Sequence, residues 1–185
     1  MNRTVLLIML VALIGAGAGF LIGQRVQGPS PWRTAPGADV PAPMRELPPL
    51  RLPQVDGTPR SLAEFRGRPL LINYWATWCP PCIKEMPVLD AFATEQGAKG
   101  VAVVGIALDE PDAVRQFLQR VPVAYPNLIE APGAGDSSVA LGNSRNVLPF
   151  SVLADAQGRV LAVRAGSFDA AQLRRWVADN EAASD

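Results

Sequence analysis

Apolar and polar positions fall in blocks along this chain. Val5 to Ile22, VLLIMLVALIGAGAGFLI, carries no charge and meets the lower limit of about 17 to 25 residues for a membrane-spanning helix. An uncleaved anchor over residues 1–23 is the favoured reading, because the apolar stretch continues through Phe20, Leu21 and Ile22. A signal peptide cut at the A-x-A-like Ala16 and Ala18 is its competitor. Either one sends the rest of the chain out of the cytoplasm. Arg3 and Arg25 flank the segment nearly evenly, so the positive-inside rule does not decide orientation. Gly15, Gly19 and Gly23 line one helix face, a pattern also common in single spans. Residues 24–46 change character, with Pro29, Pro31, Pro36, Pro41 and Pro43 and no apolar periodicity, which predicts an extended, semi-rigid tether.

The pattern of a folded domain covers residues 47–185. Leu50 to Leu52 and a second short extended piece flank Asp56-Gly57, a turn signal, and Ser61 to Phe65 fits one helical turn closed by Gly67. Pro69 to Trp75 is a short apolar run of strand formers, and a helix follows it from Pro80 to Gln96, closing at Gly97. Pro87 lies inside that helix and removes a bond to the Ile83 carbonyl, so a kink is expected there. Val101 to Leu108 predicts a second buried strand. Pro111 opens a helix to about Val121, with Val114, Phe117, Leu118 and Val121 on one face. Pro122 to Glu130 is irregular, with room for one short strand, and Asp136 or Ser137 can cap a short helix ending at Gly142. Phe150 to Ala154 and Arg159 to Ala165 form a hairpin, with Pro149 at its entrance. A last amphipathic helix begins near Asp169 and presents Leu173, Trp176 and Val177. This order predicts an α/β fold, a three-layer sandwich around a mixed central sheet.

Seventeen basic and 17 acidic residues cancel, so no net field draws nucleic acid. The 185 residues include no His and only two cysteines, both within Trp78-Cys79-Pro80-Pro81-Cys82. The missing His excludes Ser-His catalysis, and Ile83 after Cys82 excludes haem attachment. Zinc needs about four ligands, and no metal is expected. A structural staple across so short a loop contributes little, which leaves a reversible dithiol–disulfide couple as the cofactor-free redox centre.

Trp75-Ala76-Thr77-Trp78-Cys79-Pro80-Pro81-Cys82, with Glu85-Met86-Pro87 and the distant Leu148-Pro149, resembles the thioredoxin superfamily, specifically the membrane-anchored TlpA/ResA-like thiol-disulfide oxidoreductases. The resemblance covers about Leu47 to Ala178. It implies a thioredoxin fold outside a bacterial inner membrane, facing periplasm or cell exterior, with Pro149 cis beside the sulfurs. It implies a protein-disulfide reductase supplied by a membrane thiol carrier and serving extracytoplasmic proteins such as apocytochromes c. Thioredoxins proper carry a buried Asp where this chain has Asn73, and Asn cannot exchange a proton. Glu85, three residues after Cys82 on nearly the same helix face, is the family's replacement candidate, with an ordinary exposed helix glutamate as the other reading.

Cys79 at the helix start, nearest solvent, is expected to attack a partner disulfide, and Cys82, one turn in, to resolve it, helped by Glu85 directly or through water. Trp78, Leu148 and Pro149 would meet the partner's extended chain, and Trp75 would pack. Pro80 and Pro81 lack amide hydrogens, so Cys79 should be moderately rather than extremely acidic, supported by the Cys82 amide and the helix dipole. A binding or chaperone module and an oxidising role are the alternatives. Peroxidase chemistry lacks its Thr three residues before the cysteine, where Ala76 stands, and a copper chaperone lacks a His.

Overall fold

The structure is a computed structural model that describes residues 46–133 and 135–183. The Val5–Ile22 run, its glycines and the proline-rich segment lie outside the described residues, and among those described no helix is long and apolar enough to cross a membrane. Strand β1 (Arg51–Pro53) pairs with β2 (Pro59–Ser61) across the expected Asp56-Gly57 turn. There the Asp56 carboxylate accepts from the Thr58 amide at 2.9 Å and its hydroxyl at 2.6 Å, and Gly57 takes the positive φ of 85° that the turn requires. A single 3-10 turn over Leu62–Phe65 follows, with Ser61 and Glu64 forming a reciprocal capping box.

The main body runs β3 (Leu70–Trp75), α1 (Pro80–Gln96), β4 (Ala102–Leu108), α2 (Pro111–Arg120), β5 (Asn127–Glu130), α3 (Ser137–Ala140), β6 (Phe150–Ala154), β7 (Val160–Ala165) and α4 (Ala170–Ala182). The sheet order is β5-β4-β3-β6-β7, parallel among β3, β4 and β5 and antiparallel from β3 through β6 to β7. Every residue of β3 is buried, as a central strand covered on both faces must be. β5, which the sequence left as at most one short strand, forms the edge. Gln54, next to β1, bridges to Leu128 there and partly covers that edge.

The mixed sheet expected from the element order is present, but its two outer layers are unequal. Alternation along β3 sends Leu71, Asn73 and Trp75 to one side and Leu70, Ile72 and Tyr74 to the other. On the first side lie α1, α2 and α4, contributing Leu89, Phe92, Met86, Val114, Phe117, Leu173 and Trp176. The second side is covered by Leu47, Leu52, Leu62, Phe65 and Leu141, from the N-terminal hairpin, the 3-10 turn and the residue after α3. Helix α3 is only four residues long, with Asp136 at its N-cap. α1 is one element across Pro87. Pro87 is exposed, so the missing amide hydrogen interrupts the ladder without breaking the helix.

One feature of the helix-covered face is absent from any simple strand pattern. Register aligns Asn127 with Gly105, Gly105 with Asn73, Asn73 with Ser151, and Ser151 with Arg164. This row of polar or side-chain-free positions crosses all five strands and separates an apolar cluster around Leu71, Val103 and Leu153 from a second around Trp75, Ala107 and Ile129. Over Gly105, the Trp75 indole donates to Asn127 Oδ1 at 2.9 Å. A methyl group on Gly105 would meet that oxygen at 2.1 Å and the indole nitrogen at 3.1 Å. Gly105→Ala should therefore break this bond and destabilise the fold by about 1–3 kcal/mol, the usual cost of overpacking a core; urea denaturation at neutral pH measures it, and an unchanged midpoint would refute the contact.

Candidate active site

The end of β3 is held for the turn that follows. Asp109, just beyond the parallel neighbour β4, accepts from the Thr77 amide at 2.9 Å and its hydroxyl at 2.5 Å. The Cys79 amide donates to the Ala76 carbonyl at 3.2 Å, which brings Cys79 to the N-cap of α1 in an extended conformation, with Pro80 at the first helical position. Its sulfur accepts from the Cys82 amide at 3.3 Å. This is the donor expected to remain once Pro80 and Pro81 have none, and it lies on the positive end of the helix dipole.

Cys79 and Cys82 are joined as a disulfide. Their order of exposure is as expected, but the margin is narrow: Cys79 is 4% exposed and Cys82 is fully buried. The pair is sunk among Trp75, Met86, Phe117 and Ile129, with Leu148 packed against the same cluster. Trp75 is thus a packing residue, its ring centroid 5.4 Å from that of Phe117. Trp78, by contrast, is 66% exposed.

The Leu148–Pro149 peptide is cis, and the Pro149 carbonyl accepts from the Gly166 amide at 2.8 Å. A buried polar scaffold shapes the loop leading to it. Asp136 caps α3 through the Ser138 and Val139 amides. Asn143 bonds Val147 in both directions, at 2.9 and 3.0 Å, and donates to the Ser138 hydroxyl at 3.1 Å. Asn146 adopts φ +50°, a conformation Asn tolerates better than most residues. Between this loop and the cysteine turn lies a groove of about 210 Å³, lined by Trp78, Leu108, Pro132, Asp136, Asn146 and Leu148 among others.

Glu85 is 1% exposed, which overturns the reading of an ordinary surface glutamate. Oε1 accepts from Asn73 Nδ2 at 2.7 Å and Oε2 from the Phe168 amide at 2.9 Å. Asn73 Nδ2 also donates to the Ser151 hydroxyl at 3.2 Å. Burial pushes the carboxyl up to about 7, against the opposing pull of the Phe168 amide, Asn73 and Arg164. Asn73 is therefore the side-chain donor to this buried carboxyl. Asp109, Asn143, Ser151 and the Phe168 amide were not anticipated. A serine inside the apolar run FSVLA and an arginine inside VLAVRA were the available signals, since polar residues within buried strands need partners. Among the described residues no cluster of His, Cys, Asp or Glu suited to a metal ion is found.

The chain matches the Redoxin family over residues 41–177. The chain belongs to the Redoxin family. Its relatives include the thiol-disulfide oxidoreductase ResA of Bacillus thuringiensis subsp. konkukian, 29% identical over 134 residues, or 72% of this chain and 75% of that protein. The ResA of Bacillus anthracis is 28% identical over the same coverage. Among solved structures, a thioredoxin-family thiol:disulfide interchange protein from Chlorobium tepidum superposes with a TM-score of 0.65 at 27% identity, covering 76% of this chain and 99% of that one. A thioredoxin-related protein from Neisseria meningitidis serogroup B gives a TM-score of 0.61 at 32% identity, covering 71% and 98%. This redoxin is accordingly a TlpA/ResA-like thiol-disulfide oxidoreductase of thioredoxin fold, with Cys79–Cys82 as its disulfide.

The buried carboxyl makes the redoxin's stability depend on pH. An ordinary glutamate has a pKa near 4.5, and burial pushes that of Glu85 up to about 7. Between those values the folded protein keeps a proton that the unfolded chain has released. This group therefore favours folding most below about 4.5, and its contribution fades as pH rises towards 7. Urea unfolding of the oxidised protein from about pH 5 to 8 should show that decline, and Glu85→Gln should flatten it; an equal slope in the variant would rule out Glu85 as its source.

Proposed function

We propose that this redoxin is an extracytoplasmic protein-disulfide reductase, tethered to a bacterial inner membrane by residues 1–23 through the linker 24–46, with the domain from residue 47 facing outward. The observation that carries the reading is the position of the Cys79–Cys82 pair, at the start of α1, with a buried, nearly neutral-range carboxyl one turn below. The disulfide itself is the only redox group the reaction requires.

In the reduced protein, the Cys79 thiolate attacks one sulfur of a partner's disulfide. The S–S bond of the partner breaks as a mixed disulfide forms, and the displaced partner thiolate takes up a proton. Cys82, deprotonated with Glu85 as acceptor, directly or through water, then attacks the Cys79 sulfur, forming Cys79–Cys82 and releasing the second partner thiol. Two electrons pass to the partner with two protons, and a membrane dithiol carrier restores the reduced enzyme by the reverse exchange. The asymmetry of the two sulfurs supports these roles. Cys79 has the helix N-terminus and the Cys82 amide to stabilise a thiolate, whereas Cys82 lies in apolar surroundings that disfavour one and so call for a base.

Trp78, Leu148 and Pro149 form the docking surface. An exposed indole beside an apolar groove suits an extended chain whose disulfide must reach a nearly buried sulfur. Extracytoplasmic apoproteins that present cysteine pairs in unfolded segments, apocytochromes c among them, have that chemistry.

Cys79→Ser should abolish insulin reduction, whereas Cys82→Ser should accumulate mixed disulfides visible on non-reducing gels; the opposite pattern would exchange the two roles. Equilibration with glutathione should place the couple at or below about −270 mV, and a value near about −120 mV would mark an oxidant instead. Thiolate absorbance of the reduced protein should place Cys79 well above the extreme of about 3.5 known for the most acidic such cysteines.

A further inference from the structure

Asn73 sits at the middle of the sheet, fully buried. Its Nδ2 is spent on Glu85 Oε1 and the Ser151 hydroxyl, while its Oδ1 is buried with no partner. A buried amide with one end doubly used and the other orphaned is uncommon, since such groups are nearly always satisfied. Glu85 Oε2 is held by a main-chain amide, which can serve only a lone pair. A proton arriving at Glu85 therefore goes to Oε1, the oxygen that faces Asn73.

In the observed orientation that proton would meet Nδ2–H, donor against donor. A half turn of the amide exchanges Oδ1 and Nδ2 within the same volume. Oδ1 then accepts from Oε1–H and from Ser151, whose hydroxyl can donate as readily as accept. Each orientation leaves one amide atom without a partner, Oδ1 beside the carboxylate and Nδ2 beside the carboxyl. These costs largely offset each other, so the proton on Glu85 decides which orientation holds. Aspartate at this position would add a second charge, and an apolar residue would leave both forms of the carboxyl without their side-chain partner.

We propose that Asn73 is a positioning residue whose side-chain amide turns over with each protonation of Glu85, bonding both forms of the carboxyl through Cys82's cycle of proton loss and gain. This rests on the reading of Glu85 as proton acceptor. The remaining titratable or charged groups towards Glu85 are Arg164 on β7 and Tyr125 before β5. The Arg164 guanidinium lies 4.5 Å over the Phe168 ring and its Nε is unpartnered, as is the Tyr125 hydroxyl. Neither bonds Glu85, which leaves Asn73 as the only side chain among the described residues that does.

The test follows the Asn73 side-chain amide and the Glu85 carboxyl carbon by NMR in the reduced full-length chain across about pH 5 to 9. The amide signals should move between two environments with the midpoint of Glu85, and Glu85→Gln, whose own amide donates to Oδ1, should hold them in the low-pH environment throughout. Asn73→Leu should slow release of the partner from its mixed disulfide roughly tenfold, the equivalent of one hydrogen bond, on both sides of the Glu85 midpoint and without moving it. Amide signals that stay constant while Glu85 titrates would overturn the proposal. So would a Glu85 midpoint that climbs by about a unit or more in Asn73→Leu, the mark of a fixed donor serving the carboxylate alone. Failure of the parent reading looks different: the pH profile of insulin reduction would be the same in Glu85→Gln and the unaltered protein, whatever the Asn73 signals do.

Discussion

Placing a carboxylate beneath α1 constrains this domain more than any other single contact. A buried charge is costly unless it is hydrogen-bonded, and Glu85 meets that demand with one side chain from β3 and one main-chain amide after β7. Those two donors fix α1 relative to the sheet, because a shift along the helix would leave the carboxylate without them. Cys79 and Cys82 ride on the first turn of the same helix. The interaction that holds the helix in register therefore also sets the height of the sulfurs.

The polar row across the sheet has the same origin. Asn127, Gly105, Asn73, Ser151 and Arg164 lie side by side, and Glu85 rests on the middle of that row. On one side is an apolar cluster closed by α4; on the other is the cluster that contains both sulfurs. The redox pair is thus built on a hydrophobic base, with the buried Glu85 carboxyl just behind it. Apolar surroundings disfavour a Cys82 thiolate, while the helix N-terminus favours one at Cys79. Two cysteines three residues apart thus sit in different electrostatic environments.

Around the sulfurs, rigidity comes from short polar side chains used as caps and braces. Asp109 pins the turn before Cys79, and Asp136 and Asn143 pin the approach to Pro149. Trp78 stands free of this framework. The rim of the cysteine turn is thus firmly braced, with one large exposed aromatic, Trp78, beside it.

Much of the domain was legible in the chain itself, because local rules dominate there. The five-residue cysteine window, Pro80 at the first helical position, Gly97 at the helix end, the Asp56-Gly57 turn and the buried runs of β3 and β4 each follow from backbone preference or period. The same local logic limited Cys79 to a single strong amide donor. What the local pattern could not decide was long-range. Whether Glu85 faced solvent or the core depended on Asn73, twelve residues away, and on Phe168, 83 away. The asymmetric outer layers arose because α2 shares a face with α1, a matter of crossover direction rather than of any residue. The row from Asn127 to Arg164 exists only once five strands are in register. Sequence by itself thus determined the redox couple and the elements that present it; the tertiary structure alone decided which carboxyl is buried and which amide supports it, because burial and register are properties of the assembled sheet.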